Sequence, residues 1–389
     1  MARRIFITAA EVSGDQHAAQ LIPALKELDP SAVVEGLGGP LMQQAGAIVH
    51  HQTVRGAQMG AGGIWRALET WRLARWMGRH YEQNRPDLHI CVDSPDMNIH
   101  FARLAKRRGV GVLGYVAPQV WAWREHRLRK FRRWFDHLAC ILPFEEPYFR
   151  ARGLPATFVG HPLFDQLSPT LVHDAPAGSG SRPPVVGLLA GSRHSEAVSN
   201  FGDLLLVARQ VRARFPGARF FSPTTADTHE VISTAARGHS DICVERDSFD
   251  RLVPRCDLCV VVSGTATLHV AAHGVPMIVI YRVNSAMVRL FGWVMKTDTF
   301  ALVNLLAQRG VADRRVPRSE RHIVPEFVPL IGSAQCVADE AVRLLADPAL
   351  LADQRRKLAD LIARHGQGGA SKRVARLALE MIAARPPVT

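Results

Sequence analysis

The 389 residues exceed what a single hydrophobic core comfortably serves, so two domains are expected, and an apolar content of 47% excludes a disordered or low-complexity chain. A formal charge of +13 points to a polyanionic partner: nucleic acid, an anionic membrane surface or a phosphorylated substrate. Zinc-finger spacing, an aromatic RNA-binding signature and a basic zipper are all missing, so no nucleic-acid partner is expected.

Met1-Ala2-Arg3-Arg4 runs directly into a short strand rather than a signal h-region, and no apolar run approaches the roughly 20 residues that span a bilayer. A cytoplasmic chain is the expectation. Ile5 to Ala10 reads as a buried strand, Glu11-Val12-Ser13-Gly14-Asp15 as the turn after it, and Leu21, Leu25 and Leu28 as the apolar face of a helix from about Gln16. The turn suits either a ligand approaching backbone or ordinary αL chemistry. A second strand from Val33 ends in Gly36-Leu37-Gly38-Gly39-Pro40, which lacks G-x-G-x-x-G spacing and so gives no support to a dinucleotide site. From Gly63 to Gln83 a helix carries Trp65, Trp71 and Trp76 among Arg66, Arg72, Arg75 and Arg79; it is either a core helix with a solvated basic face or a membrane contact.

The strand Leu88 to Val92 delivers Asp93-Ser94-Pro95-Asp96-Met97-Asn98 and then a helix from about Ile99 to Arg108. Two carboxylates three residues apart at a strand's carboxyl end suit acid–base work, although Asp96 or Asn98 could equally cap the helix. After a strand from Gly111 to Val116, the cations Arg124, Arg127, Arg129, Lys130, Arg132 and Arg133 crowd one helix, a phosphate or membrane patch or simply solvated charge. Strands at 137–142 and 156–160 complete the first alternation. The Pro, Gly and Ser content of 168–184 marks a linker, which sets the domains at 1–168 and 185–389, with the last helix free to pack back on the first.

The βα alternation restarts at Val185 to Ala190, ending at Gly191-Ser192-Arg193 before a helix from about Val198 to Arg214. Arg193 could pair bidentately with a phosphate at that helix start or bridge the domains structurally. Strands at 218–222, 242–245 and 259–262 follow, and the last runs into Ser263-Gly264-Thr265-Ala266-Thr267, a helix stopping at Gly274, and the strand Met277 to Tyr281. That turn is a phosphate seat or merely a capped helix. An apolar stretch covers Met287 to Met295, and helices are expected at 336–345, 349–365 and 371–384. Six scattered cysteines, with Cys256 and Cys259 the sole close pair, read as buried thiols.

The expected fold is α/β: two doubly wound Rossmann-like domains facing a cleft, anion seats in the second, and Asp93, Asp96 and Glu11 in the first. Such a division suits displacement of a phosphate leaving group by a hydroxyl. With no D-x-D pair and no compact His/Asp/Glu run in the sequence, a reaction without metal or cofactor is expected.

Seven segments in order, Glu11 to Asp15, Asp93 to Asn98, Tyr115 to Trp123, Leu142-Pro143-Phe144-Glu145, Gly160-His161-Pro162, Gly191-Ser192-Arg193 and Ser263 to Leu268, resemble those of lipid A disaccharide synthases. The resemblance covers nearly the whole chain. It implies a GT-B glycosyltransferase that transfers 2,3-diacylglucosamine from UDP to 2,3-diacylglucosamine 1-phosphate, forming a β-1,6 linkage with inversion and releasing UDP. By that likeness Asp93 is the base; Gly191, Ser192, Arg193, Ser263, Gly264 and Thr265 hold UDP phosphates; and His269, Tyr281, Arg282 and Asn304 lie near the donor. Glu11, Ser13, Gly14, Asp15, Asp96 and Asn98 fall to the sugars. The implied partners are UDP-diacylglucosamine, diacylglucosamine 1-phosphate and the anionic inner face of the inner membrane, with a homodimer left open. Ala10 stands where the family has glycine, Val303 where it has proline, and the segment from Asn304 to Pro325 is longer. His269 replaces a glutamate, so one imidazole lone pair stands where a carboxylate would accept from both ribose hydroxyls. The rival readings are another GT-B transferase, a UDP-N-acetylglucosamine 2-epimerase-like enzyme, and a non-catalytic polyanion binder.

Overall fold

A computed structural model of the chain describes residues 2–54, 63–123, 125–167, 182–283, 297–308 and 317–385. It divides into two units: Met1–Asp165 with Gly368–Thr389, and Gln166–Gln367.

The first unit holds seven strands: β1 (Arg4–Ala9), β2 (Val33–Gly38), β3 (Ile48–Gln52), β4 (Leu88–Val92), β5 (Gly111–Tyr115), β6 (His137–Cys140) and β7 (Ala156–Phe158). They pair in the order β3-β2-β1-β4-β5-β6-β7, every pair parallel. The second unit holds β8 (Val185–Leu189), β9 (Arg219–Thr224), β10 (Ile242–Arg246), β11 (Leu258–Val262), β12 (Met277–Arg282) and β13 (Glu326–Leu330), ordered β10-β9-β8-β11-β12-β13 and again parallel. Central strands such as β4, β5 and β11 are buried along their whole length, because helices cover both faces of a parallel sheet.

Two strands escape the sequence reading, and both are edges. The β3 sequence, IVHHQ, is half-exposed and polar, while β13 carries Pro329, which a strand tolerates where no ladder N–H is required. Three helices also start earlier than expected. They begin at Val12, Pro95 and His194, inside segments whose glycine, serine and aspartate content reads as turn.

Strand order reverses between β1 and β4 in the first unit and between β8 and β11 in the second. At such switch points the chain leaves the carboxyl ends of neighbouring strands in opposite directions and opens a crevice for ligand.

The C-terminal helix, Ala370–Ala383, belongs to the first unit. The Asp165 carboxylate accepts the N–H groups of Gly369, Ala370 and Ser371 at 2.6, 2.9 and 2.8 Å, capping the helix start with charge. The helix then packs on Val12–Leu28, with Lys372 paired to Glu27 at 2.8 Å. Two of the recognised segments hold each other in the same unit: Glu145 accepts from Trp121 Nε1 and from the Leu142 N–H, both at 3.1 Å. Burial pushes that carboxyl up to about 7. Among the described residues no helix is long and apolar enough to cross a membrane.

Candidate active site

In the first unit, the chain leaving β4 turns sharply. Asp93 and Ser94 both take left-handed backbone, at φ 52° and 43°, a conformation that costs an L-residue energy. The turn is held from beneath by Asn98, whose Nδ2 donates to the carbonyls of Val92 (3.1 Å) and Asp93 (2.7 Å) while its Oδ1 accepts from Thr8 (2.6 Å). Above it, the half-buried Asp93 carboxylate is fixed at both oxygens: Ser13 Oγ donates to Oδ2 at 2.8 Å, and the Ser94 N–H to Oδ1 at 2.7 Å. Ser13 comes from the helix after β1, so the hydrogen bond closes across the switch point.

Two of the sugar-facing expectations, Asn98 and Asp15, are corrected by this geometry. Asn98 is 1% exposed and has no capacity left for a sugar; it positions Asp93. Asp15, equally buried, accepts the N–H groups of Gly39, Leu41 and Met42 at 2.9, 3.1 and 3.1 Å, so it anchors the glycine-rich loop after β2. A Cβ on Gly14 would lie 3.2 Å from the Val92 carbonyl, which makes that glycine a helix-to-strand packing site. Asp96 is exposed and ion-paired to Arg127. Glu11 stays exposed, its side chain free of any cap bond to the helix it precedes.

His17, one turn beyond Ser13, is absent from the sequence-based set. Its Nδ1 is buried without a hydrogen-bond partner; burial lowers its pKa, and the nearby Asp93 charge opposes that shift. The i, i+4 spacing from Ser13 is the signal that could have found it.

In the second unit, β8 and β11 are neighbours, with Leu189 opposite Val261, so the turns that follow them lie side by side. After β8 comes Gly191 at φ 100°, where a Cβ would collide with Glu196; then Ser192 and Arg193, both exposed. Arg193 precedes the 21-residue helix His194–Arg214 and pairs with Glu196 at 2.8 Å, its side chain 64% exposed. After β11, Gly264 and Thr265 are exposed and Ser263 half-buried, while Thr267 Oγ1 donates back to the Gly264 carbonyl at 2.8 Å and fixes the turn. Two turns on adjacent strands thus present hydroxyls, backbone N–H groups and one guanidinium, the donor set an anion needs.

Two expected nucleotide contacts are taken up elsewhere. Arg282 makes a two-pronged pair with Asp203, at 2.5 and 2.6 Å, and also donates to the Gly332 carbonyl. Asn304 is fully buried: Nδ2 donates to the Val324 carbonyl and Glu326, and Oδ1 accepts from the N–H groups of Ile323 and Val324, which pins the approach to β13. Tyr281 is half-buried, packed against the unit's apolar core.

His269 has company that its position in sequence does not announce. Its ring stacks on Phe249 at 4.6 Å, and its Nε2 lies 2.8 Å from Asp250 Oδ1, out of hydrogen-bond alignment. His273 Nε2 reaches the same oxygen at 3.0 Å. Burial holds His269 below the ordinary histidine range, against the pull of Asp250. A second cluster joins Glu35 to His50 and His80 at 2.9 and 3.2 Å. The expectation of no compact His/carboxylate grouping is therefore corrected, since tertiary folding assembles both from distant residues. In each, one imidazole is hydrogen-bonded to the carboxylate, His50 to Glu35 and His273 to Asp250, and the Arg4 guanidinium 3.2 Å from Glu35 disfavours a cation at the Glu35 cluster.

The helix Gly63–Gln83 divides its aromatic residues. Met77 and Tyr81 are buried, Trp76 stacks on His80 at 5.0 Å, and Trp71 and Leu68 are 59% and 43% exposed. The Trp65 side chain and the apolar stretch with Leu290, Phe291, Trp293 and Val294 lie outside the described residues.

A profile of lipid-A-disaccharide synthetases matches residues 5–333. The chain belongs to that family. The lipid-A-disaccharide synthase of Geobacter sulfurreducens is 36% identical over 388 residues, 97% of each chain, and that of Nitrosococcus oceani is 34% identical over 97% of this chain and 96% of its own. Membership makes the protein a glycosyltransferase of lipid A biosynthesis. Among solved structures, a putative UDP-N-acetylglucosamine 2-epimerase from Listeria monocytogenes superposes with a TM-score of 0.63 at 14% identity, over 99% of this chain and 98% of its own. A MurG from Acinetobacter baumannii gives 0.57 at 14%, over 97% and 99%. The likeness to both shows the GT-B fold of two Rossmann-like domains.

Proposed function

We propose that this family member joins UDP-2,3-diacylglucosamine to 2,3-diacylglucosamine 1-phosphate with inversion at the anomeric carbon. Asp93 takes the proton of the acceptor's 6-hydroxyl as that oxygen bonds to C1 of the donor. The C1–O bond to UDP breaks on the opposite face, UDP leaves with the bonding electrons, and the proton passes from Asp93 to water. The observation that carries the assignment is the strained turn at Asp93 and Ser94, with the carboxylate oriented by Ser13 across the switch point.

The UDP phosphates are assigned to the turns at Gly191 to Arg193 and Ser263 to Thr265, whose exposed donors are suited to leaving-group charge. Arg193, whose side chain is 64% exposed, is the guanidinium positioned to take pyrophosphate charge beside its pair with the largely buried Glu196. His269, neutral near pH 7, is assigned to one ribose hydroxyl, with Asp250 beside it. Arg282 and Asn304 leave the proposed nucleotide set, and Tyr281 stays as its apolar edge.

The acyl chains place the work at a membrane. Each buried CH₂ is worth about 0.8 kcal/mol, so such substrates hardly leave a bilayer, and we assign the enzyme a peripheral position on an anionic, cytoplasm-facing surface, approached through Leu68 and Trp71. Incubating the protein with both sugars in EDTA and measuring UDP together with a disaccharide phosphate tests the whole assignment. Failure of either product to form, or epimerisation of UDP-N-acetylglucosamine instead, overturns it.

A further inference from the structure

A cavity of about 490 Å³ opens on the first unit between the helices Pro95–Arg107 and Leu128–Trp134, the first of which follows the Asp93–Ser94 turn. Six permanent cations line it: Arg103, Arg107, Arg127, Arg129, Lys130 and Arg133. No carboxylate does, among the described residues, although Asp96 pairs with Arg127 from outside. The ring of Trp134 sits among the cations, with the Arg133 and Arg103 guanidinium carbons 4.7 and 5.8 Å from its centre. So many like charges around one hollow create a positive potential that attracts an anion, and neighbouring basic groups elsewhere are neutralised, Lys106 by Asp136 and Arg108 by Glu82.

The surroundings indicate what kind of anion. The helix Pro95–Arg107 is flanked on one side by Leu128–Trp134 and on the other by Gly63–Gln83, to which Arg108 is tied through the Gly78 carbonyl at 2.6 Å. Exposed Leu68 and Trp71 therefore stand on the same run of helices as the basic cavity. Apolar side chains beside a guanidinium-lined hollow match an amphiphile: acyl chains on one part, a phosphate on the other.

We propose that this cavity is a binding site for the phosphate of a membrane lipid, seated by the guanidinium groups of Arg103, Arg107 and Arg133 with Trp134 at the headgroup level. The phosphate could be that of the acceptor glycolipid, which rests on the function proposed above, or that of an anionic phospholipid, which does not.

The test compares wild type with Arg103→Ala/Arg107→Ala/Arg133→Ala and with a control of equal charge loss in the second unit, Arg209→Ala/Arg219→Ala/Arg237→Ala; all six side chains are exposed, so both variants should fold. One arm measures binding of short-chain diacylglucosamine 1-phosphate and of its dephosphorylated analogue. The other measures binding to phosphatidylcholine vesicles with and without phosphatidylglycerol. The cavity variant should lose on the order of fivefold affinity per cation removed, in at least one arm, while the control changes little. Loss confined to the glycolipid identifies the acceptor phosphate; loss confined to phosphatidylglycerol vesicles identifies a phospholipid. Unchanged binding in both arms, or equal loss in the control, overturns the site. Should the chain make no disaccharide at all, the proposed function fails, and the phosphatidylglycerol arm still decides about the cavity.

Discussion

Asp93→Asn isolates the proposed chemistry from the fold. The two groups that hold the carboxylate tolerate an amide. The Ser94 N–H can only donate, so the amide oxygen must face it, and the new NH₂ then meets Ser13 Oγ, which can turn to accept. Both 2.7–2.8 Å contacts survive in outline and the change in stability should stay within about 1 kcal/mol. The base is gone, however. General-base catalysis is typically worth about 10²–10⁴-fold, or roughly 3–5 kcal/mol of barrier, and that whole amount should appear in kcat. Initial rates of UDP release at saturating donor, beside UDP affinity by calorimetry, separate the two effects. Ser13→Ala, which removes only the orienting bond, should fall between wild type and the Asn variant. Turnover of Asp93→Asn within a few-fold of wild type would refute the assignment, and a loss of UDP affinity in a folded variant would contradict the assignment of the nucleotide to the turns at Gly191 and Ser263.

Asn304→Ala should lower stability by about 2–4 kcal/mol, because the Ile323 and Val324 N–H groups and the Glu326 carboxyl lose buried partners; urea unfolding measures it, and a stable variant with weakened UDP binding would restore Asn304 to the nucleotide site. Asp165→Ala removes the charged acceptor of three N–H groups and should loosen the C-terminal helix, seen as faster hydrogen exchange across residues 370–383; unaltered protection there would show the cap to be idle. His89 and His161 are buried neutral, both pushed down to about 3, so between the unfolded value near 6.5 and that point the unfolded state binds the extra protons. Stability should therefore decline as pH falls below 6.5, by about 2 kcal/mol for each histidine at pH 5, and His161→Phe should flatten the slope of urea midpoint against pH. UDP affinity should hold through the ordinary histidine range and weaken only at lower pH, since burial keeps His269 neutral; a drop already centred near pH 6.5 would count against that contact.

Local sequence determined the central strands, the two pairs of strand-end turns and the family motifs. Those features are short-range: β4 and β11 are apolar runs that only a sheet covered on both faces accepts, and glycine, serine and aspartate at their ends are what a tight strand-to-helix turn requires. The edge strands β3 and β13 were illegible because an edge needs neither continuous apolar residues nor every N–H. Within the motifs, sequence could nominate polar residues without telling a free group from a spent one. Asp15 and Asp93 read alike, yet three backbone N–H groups from a loop more than twenty residues away occupy the first, while the second keeps a half-exposed carboxylate beside Ser13. Arg193 and Arg282 both fall to the nucleotide by the family likeness, and only the structure separates them: the Arg193 side chain is 64% exposed, whereas Arg282 is 30% exposed and makes two short bonds to Asp203. The Asp250–His269–His273 and Glu35–His50–His80 groupings belong to tertiary structure alone, whereas the basic run Arg127 to Arg133 was legible in the sequence and the structure added Arg103 and Arg107 from a second helix. Hydrogen-bond saturation, burial and charge convergence depend on which distant segments the sheet order brings together, and no spacing along the chain encodes them.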